Sequence, residues 1–305
     1  MAKKSDDTRV IFTSGFVFNR NFIAIASYLE EYDDSDHARI FTFTDGDWNS
    51  FDLDFNVRSI QGIEQPSRIL YCLGEGGRIS VRKKGGPSEE KIKDAGSALG
   101  QLGYLHQIRL IGSSLYVCGV GNQVYRRAKS RWEHFDEGVL DRRGPLEADT
   151  LFSIDGNSEN DIYAVGTGGQ VWHYNGESWL KIESPTSENL NWVRSTSSGD
   201  TYVCGDGGRF FQRTRNGWTD FSVQPKPTGD LWCVEVFKKN TYVAGDAGLF
   251  VLEGKSLIAV DAGFDVGEGH RLHANDGVLW YFGINHLCFF DGKKWTYVKH
   301  PDNPE

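Results

Sequence analysis

The chain has 305 residues, 39% of them hydrophobic and 13% aromatic, with 36 glycines, 8 prolines and one methionine, a composition of sheets and tight turns rather than of helices. A net charge of −9 and a pI near 5.4 argue against a general nucleic-acid binder, which needs a basic footprint. The start, MAKKSDDTRV, lacks the apolar core of a signal peptide, and no apolar run approaches a membrane span in length.

From the N-terminus, RVIFTSG, NFIAIASY, ARIFTFT and DWNSFDL read as four strands, with Asp45-Gly46 and Trp48 as turn and anchor. An acidic insertion from Glu30 to Asp36 lengthens the middle turn. From Tyr71 a more regular unit begins. Its segment YCLGEGG returns as YVCGVGN from Tyr116, YAVGTGG from Tyr163, YVCGDGG from Tyr202 and YVAGDAG from Tyr242, with a degraded WYFGINH from Trp280. The spacing is about 40 residues, the length of a propeller blade. A phosphate-binding loop would lead into a helix, but GTGG is followed by the strand-like QVWHY. The glycines are turns.

Each unit opens with a short strand, such as HQIRL, LFSID, NWVRS or LWCVE, and continues past its glycines into another, such as QVWHY or RFFQR. A second turn follows, with Asn175-Gly176 and Asp291-Gly292 as strong hairpin signals whose central residues both take positive φ. A tryptophan comes next: Trp132, Trp179, Trp218 or Trp295. Four strands per repeat predict an all-β, seven-bladed β-propeller of four-stranded antiparallel blades. It forms one domain over residues 1–305, with an irregular first blade over about 8–56 and blades two to seven over about 57–300. The last unit supplies its own fourth strand, KWTYVKH, so the ring closes by packing blade one on blade seven. Tyr71, Tyr116, Tyr163, Tyr202 and Tyr242 should hold equivalent core positions, and the four tryptophans should be buried between neighbouring blades.

The Tyr-x-x-Gly-x-Gly-Gly strand and turn, followed by a Gly-x-x-Trp hairpin such as Gly176-Glu-Ser-Trp179, resembles the blades of bacterial propellers of the neuraminidase-repeat and photosystem-II-assembly-factor-like superfamily. The resemblance is strongest over residues 60–300 and implies architecture rather than function. The sialidase Asp-box is incomplete around His173-Tyr174-Asn175-Gly176, and a sialidase arginine set and tyrosine nucleophile cannot be placed.

No catalytic constellation emerges. His270 and His273 lie three apart, a spacing that points them to opposite faces of a strand. The five cysteines lack zinc spacing; Cys72, Cys118 and Cys204 read as buried apolar residues of a reducing compartment. Neither metal nor cofactor is expected. On the innermost strands, Gln61, Arg109, Asp155, Arg194, Glu235 and His273 should face the central channel and neutralise one another.

Charge distribution carries the functional reading. The crossovers between blades and the Gly-rich turns share one face of a propeller, and acids outnumber bases there. Asp149, Glu188, Asp230 and Glu268 precede innermost strands, Asp206 and Asp246 sit in the turns, and Trp192 and Trp232 follow closely. These eight residues are the expected partner-binding set, and the partner should be a basic protein, since charge steers encounter and buried tryptophans anchor it. The expected protein is a non-enzymatic, cytoplasmic monomer, in its concrete form an immunity protein against a basic toxin domain such as a nuclease, with neither nucleic acid nor membrane as partner. A carbohydrate-binding or glycosidase-like propeller is the alternative; an assembly factor for a membrane complex would want a basic or apolar docking patch.

Overall fold

The computed structural model describes residues 9–30, 36–222 and 229–303; the acidic insertion and Lys226 of the fifth crossover lie largely or wholly outside these. Seven four-stranded sheets follow one another in chain order, each with its strands in sequence order and every pairing antiparallel. Blade one comprises Val10–Asn19, Phe22–Leu29, Ala38–Thr44 and Asp47–Leu53. The later blades span 57–91, 105–134, 151–182, 190–220, 231–259 and 269–297. Helix among the described residues amounts to short 3-10 turns, at Thr167–Gly169, Asp206–Gly208 and Glu30. This is the seven-bladed β-propeller.

The repeat acquires its physical meaning in the second strands. Tyr71, Tyr116, Tyr163, Tyr202 and Tyr242 pair opposite Gln61, Arg109, Asp155, Arg194 and Glu235, and Trp280 pairs opposite His273. The glycine three residues on serves a close approach. A Cβ on Gly166 or Gly205 would collide with the carbonyl oxygen of Thr150 or Asn189, where the crossover enters the innermost strand. Gly168 and Gly207 (φ 60° and 61°) then turn the chain in the left-handed region that favours glycine.

Two expectations need correction. Asp45 and Gly46 both have positive φ (52° and 101°) in a two-residue hairpin loop, but Asn175 and Asp291 do not adopt positive φ. Their loops hold four residues. The Asn175 Oδ1 accepts the backbone N–H groups of Glu177 and Ser178, and Asp291 Oδ1 does the same for Lys293 and Lys294. The side chain caps the turn, which leaves positive φ to Gly176 and Gly292 alone. Of the four tryptophans only Trp179 is buried; Trp132, Trp218 and Trp295 are half-buried. Their placement is nevertheless shared. Trp132, Trp179 and Trp218 donate the indole N–H to Glu90, Phe135 and Glu183 of the preceding blade. They stand on or beside the outermost strand, where the ring faces water, so for Trp132 and Trp218 the inter-blade contact covers only one side of the indole.

The inner strands are stitched from blade to blade. Ser14, Ser59, Gln107, Ser153 and Cys233 each accept the backbone N–H of an innermost strand in the following blade, at Ile60, Ile108, Ile154, Val193 and Leu272. Trp192 and Arg271 occupy the remaining two equivalent positions of blades five and seven, and stack with the guanidinium carbon 4.5 Å from the ring centre. One layer deeper, the expected mutual neutralisation is present: Asp155 pairs with Arg109 (2.9 Å) and Arg194 (3.2 Å), and Arg194 with Glu235 (2.9 Å). Burial pushes the Asp155 carboxyl up, yet the two guanidiniums hold it below the usual carboxylate range.

Blade one closes on blade seven without exchanging a strand. Phe12 N–H donates to Ile284 O, Val17 N–H to His273 Nδ1, and the Asn275 amide to Val17 and Phe18 O. Beyond the last strand the chain turns back, and Asn303 exchanges two hydrogen bonds with the Val10 backbone. His300 is sealed among Phe12, Phe41 and Trp48, with its Nδ1 accepting the Asp302 N–H. Burial lowers its pKa from 6.5 to about 4, outweighing the opposite pull of Asp302. The unfolded chain therefore takes up a proton that the folded one refuses, so stability falls as pH drops from 6.5 to about 4 and then levels. The loss from this residue should be about 3 kcal/mol. Urea denaturation of His300→Phe should show a shallower decline over this range than the parent; an identical slope would refute the assignment.

Candidate functional site at the mouth of the channel

Each innermost strand carries a β-bulge at one equivalent place. The shifts fall between Phe12 and Ser14, Val57 and Ser59, Leu105 and Gln107, Leu151 and Ser153, Leu190 and Trp192, Leu231 and Cys233, and Gly269 and Arg271. A bulge leaves one residue unpaired and re-aims its side chain. The extra residues are Thr13, Arg58, His106, Phe152, Asn191, Trp232 and His270, and all seven line one recess of about 550 Å³. Asp206 and Asp230 line it too, which places the recess on the side of the ring that bears the crossovers and the Gly-rich turns.

On the side of blades five and six, Asp206 accepts the side-chain amides of Asn189 (2.8 Å) and Asn191 (2.9 Å). Asp230 accepts the Gly207 N–H, and Asp246 accepts both the Asp230 N–H and the Trp232 indole N–H (2.6 Å). These acids organise the turns, yet none of the three has an ion-pair partner among the described residues. Trp232 is half-buried, braced by Asp246 behind it and by His270 at 5.4 Å. Glu268 is exposed and bonds His270 Nε2 at 3.1 Å.

Three of the eight expected residues stand apart. Asp149 is tied to Arg143 (3.2 Å), and that arginine also binds Asp141. Glu188 is half-buried in the crossover into blade five and does not line the recess. Trp192 is buried one layer below the mouth, under the Arg271 guanidinium, so it does not serve as an exposed anchor. The histidine reading also changes. Because His270 sits at a bulge it lines the recess, while His273 lines the channel below and accepts the Val17 N–H. Among the described residues no group of three metal-ligating side chains comes together. All five cysteines are buried and unpaired.

The recess also holds basic side chains absent from the expected set. Arg58 is exposed, Arg271 rises from the layer below, and His106 lies against Phe152. Burial, helped by Arg58 and Arg271, lowers the His106 pKa to about 4. Two crossovers on this side of the ring carry fully exposed leucines, Leu99 and Leu146. Strict alternation counted from Ile60, Ile108, Val193 or Leu272 assigns Arg58, His106, Asn191 and His270 to the packed face of the strand. Polar residues at a predicted core position were the available signal.

No family model matches the chain. It is 29% identical over 294 residues to the immune protein Tsi7 of Pseudomonas aeruginosa, covering 93% of this chain and 96% of that protein. Among solved structures, YCF48 bound to D1 peptide superimposes with a TM-score of 0.67 at 15% identity, over 96% of this chain and 93% of the other. The WD40 propeller domain of Doa1 gives 0.71 at 10% identity, over 94% and 95%. These two likenesses are of fold, and the resemblance to photosystem-II-assembly-factor-like propellers holds at that level. No helix is long and apolar enough to cross a membrane among the described residues.

Proposed function

We propose that this chain is an immunity protein that neutralises a protein toxin by binding it, without catalysis, through the face that bears the recess. The observation that carries the reading is the similarity to an immune protein along almost the full length of both chains. The surface supports it. Leu99 and Leu146 offer apolar contacts, Trp232 offers a half-buried aromatic, and Asp206, Asp230, Asp246 and Glu268 form an acidic arc over blades five to seven. A basic toxin domain is the partner such an arc would attract, and a toxin acting inside the cell would be met in the cytoplasm by a monomer. Asp206, Asp230, Trp232, Asp246 and Glu268 remain in the proposed contact set. Glu188 joins them at the rim, and Asp149 and Trp192 act through support.

The test is co-expression with candidate toxin domains, scored by growth and by binding of the purified pair. Association should slow as salt rises, because the Debye length shrinks from roughly 30 Å at 0.01 M to about 10 Å at 0.1 M. Glu188→Lys with Glu268→Lys should cut the low-salt association rate about tenfold or more while leaving the melting curve nearly unchanged. Trp232→Ala should act on the dissociation rate instead. Association that ignores both salt and these reversals would remove the acidic arc from the account.

A further inference from the structure

Arg271 is the least compensated charge near the axis of the ring. Its guanidinium donates to the carbonyl of His270 and lies over Trp192, and no carboxylate pairs with it among the described residues. The contrast with the layer beneath is direct, since Arg109 and Arg194 both pair there with Asp155. Arg58 reaches the same recess from blade two, exposed and likewise without an ion pair among the described residues. His106 completes this wall from blade three. Asp206 and Asp230 line the recess as well, but asparagine amides and the Gly207 N–H hold their carboxylates, and neither reaches an arginine.

We propose that Arg58, His106 and Arg271 form a receptor for a carboxylate at the mouth of the channel. A guanidinium that has given up much of its water and lacks an anion gains strongly from a planar, singly charged acceptor that can bridge its two N–H groups. Phosphate suits the site less, because a second negative charge would be repelled by Asp206 and Asp230 across the recess. The volume, about 550 Å³, matches a small ligand or an inserted side chain rather than a bare ion. Positive potential on this wall is visible in its effect on His106, whose pKa burial, Arg58 and Arg271 together depress to about 4. The carboxylate can be free in solution or carried on a docked polypeptide; the chemistry of recognition is the same.

The experiment needs no toxin, so its failure leaves the immunity reading standing. Melting temperature is followed against sodium propionate, a blocked Gly-Glu-Gly peptide, inorganic phosphate and neutral propionamide, all at constant ionic strength. Propionate or the peptide should raise it saturably in the parent protein, and propionamide should not. The midpoint should move at least about tenfold in Arg58→Met, and the shift should vanish in Arg271→Met. Arg271→Met should itself melt no lower than the parent, because it removes a half-buried cation that no carboxylate compensates among the described residues. Tighter binding of the peptide than of propionate assigns the site to a protein-borne carboxylate, and the reverse order to a free one. Absence of a saturable shift with either carboxylate, retention of the shift in both variants, or preference for phosphate overturns the proposal.

Discussion

Replacing Asp155 by alanine is expected to lower the unfolding free energy by about 3–5 kcal/mol, the cost of stranding buried charge by removing its partner. Asp155 is 3% exposed and neutralises two guanidiniums while accepting the Ser195 N–H. Without it, Arg109 keeps no carboxylate in the channel and Arg194 depends on Glu235 alone. The measurement is urea denaturation of parent and variant at neutral pH, with Asp155→Asn beside them. The asparagine variant should fall between the two, since it retains an acceptor for Ser195 but loses the charge. A loss under about 1 kcal/mol for alanine would mean that water reaches this layer and solvates both arginines.

Trp179→Ala should be comparably costly, about 3–5 kcal/mol, for a different reason. The indole is 7% exposed, packs near Phe135 and Tyr174, and donates to Phe135 O at 2.7 Å. Truncation opens a cavity between blades three and four and leaves a carbonyl without its donor. Trp218→Ala, at the equivalent but half-buried position, should lose only about 1–2 kcal/mol. Equal losses would show that repeat position, rather than burial, governs the contribution.

Repeat spacing made the architecture legible, because a blade is a local unit and its strands, turns and order are written within some forty residues. The channel charges were legible as well, since alternation holds over the stretch from Ile60 to Gln61 or Ile154 to Asp155. It fails two residues upstream, where the bulges shift Arg58, His106 and His270 from the packed side to the mouth. A bulge leaves no signature in the spacing of apolar residues, and so the basic half of the recess was missed. Trp192 was misjudged because the sequence cannot say that Arg271, some eighty residues away, lies over its ring. Acids at turn positions were easy to find, but whether they serve the turn or a partner depends on hydrogen bonds that only the folded ring supplies.

The seven bulges also separate the interchangeable from the indispensable. Threonine, arginine, histidine, phenylalanine, asparagine and tryptophan all occupy the same station around the axis, while their neighbours on either side carry the ladder and the blade-to-blade stitching. Where such a residue makes no side-chain hydrogen bond to the ring, as at Arg58 and Phe152, it can be exchanged at small cost to the scaffold, whereas Thr13, Asn191 and Trp232 also bond the frame. The mouth of the ring thus behaves like a combination dial of seven wheels. On the proposed reading, the partner recognised there could be changed one wheel at a time, with the lock itself left intact.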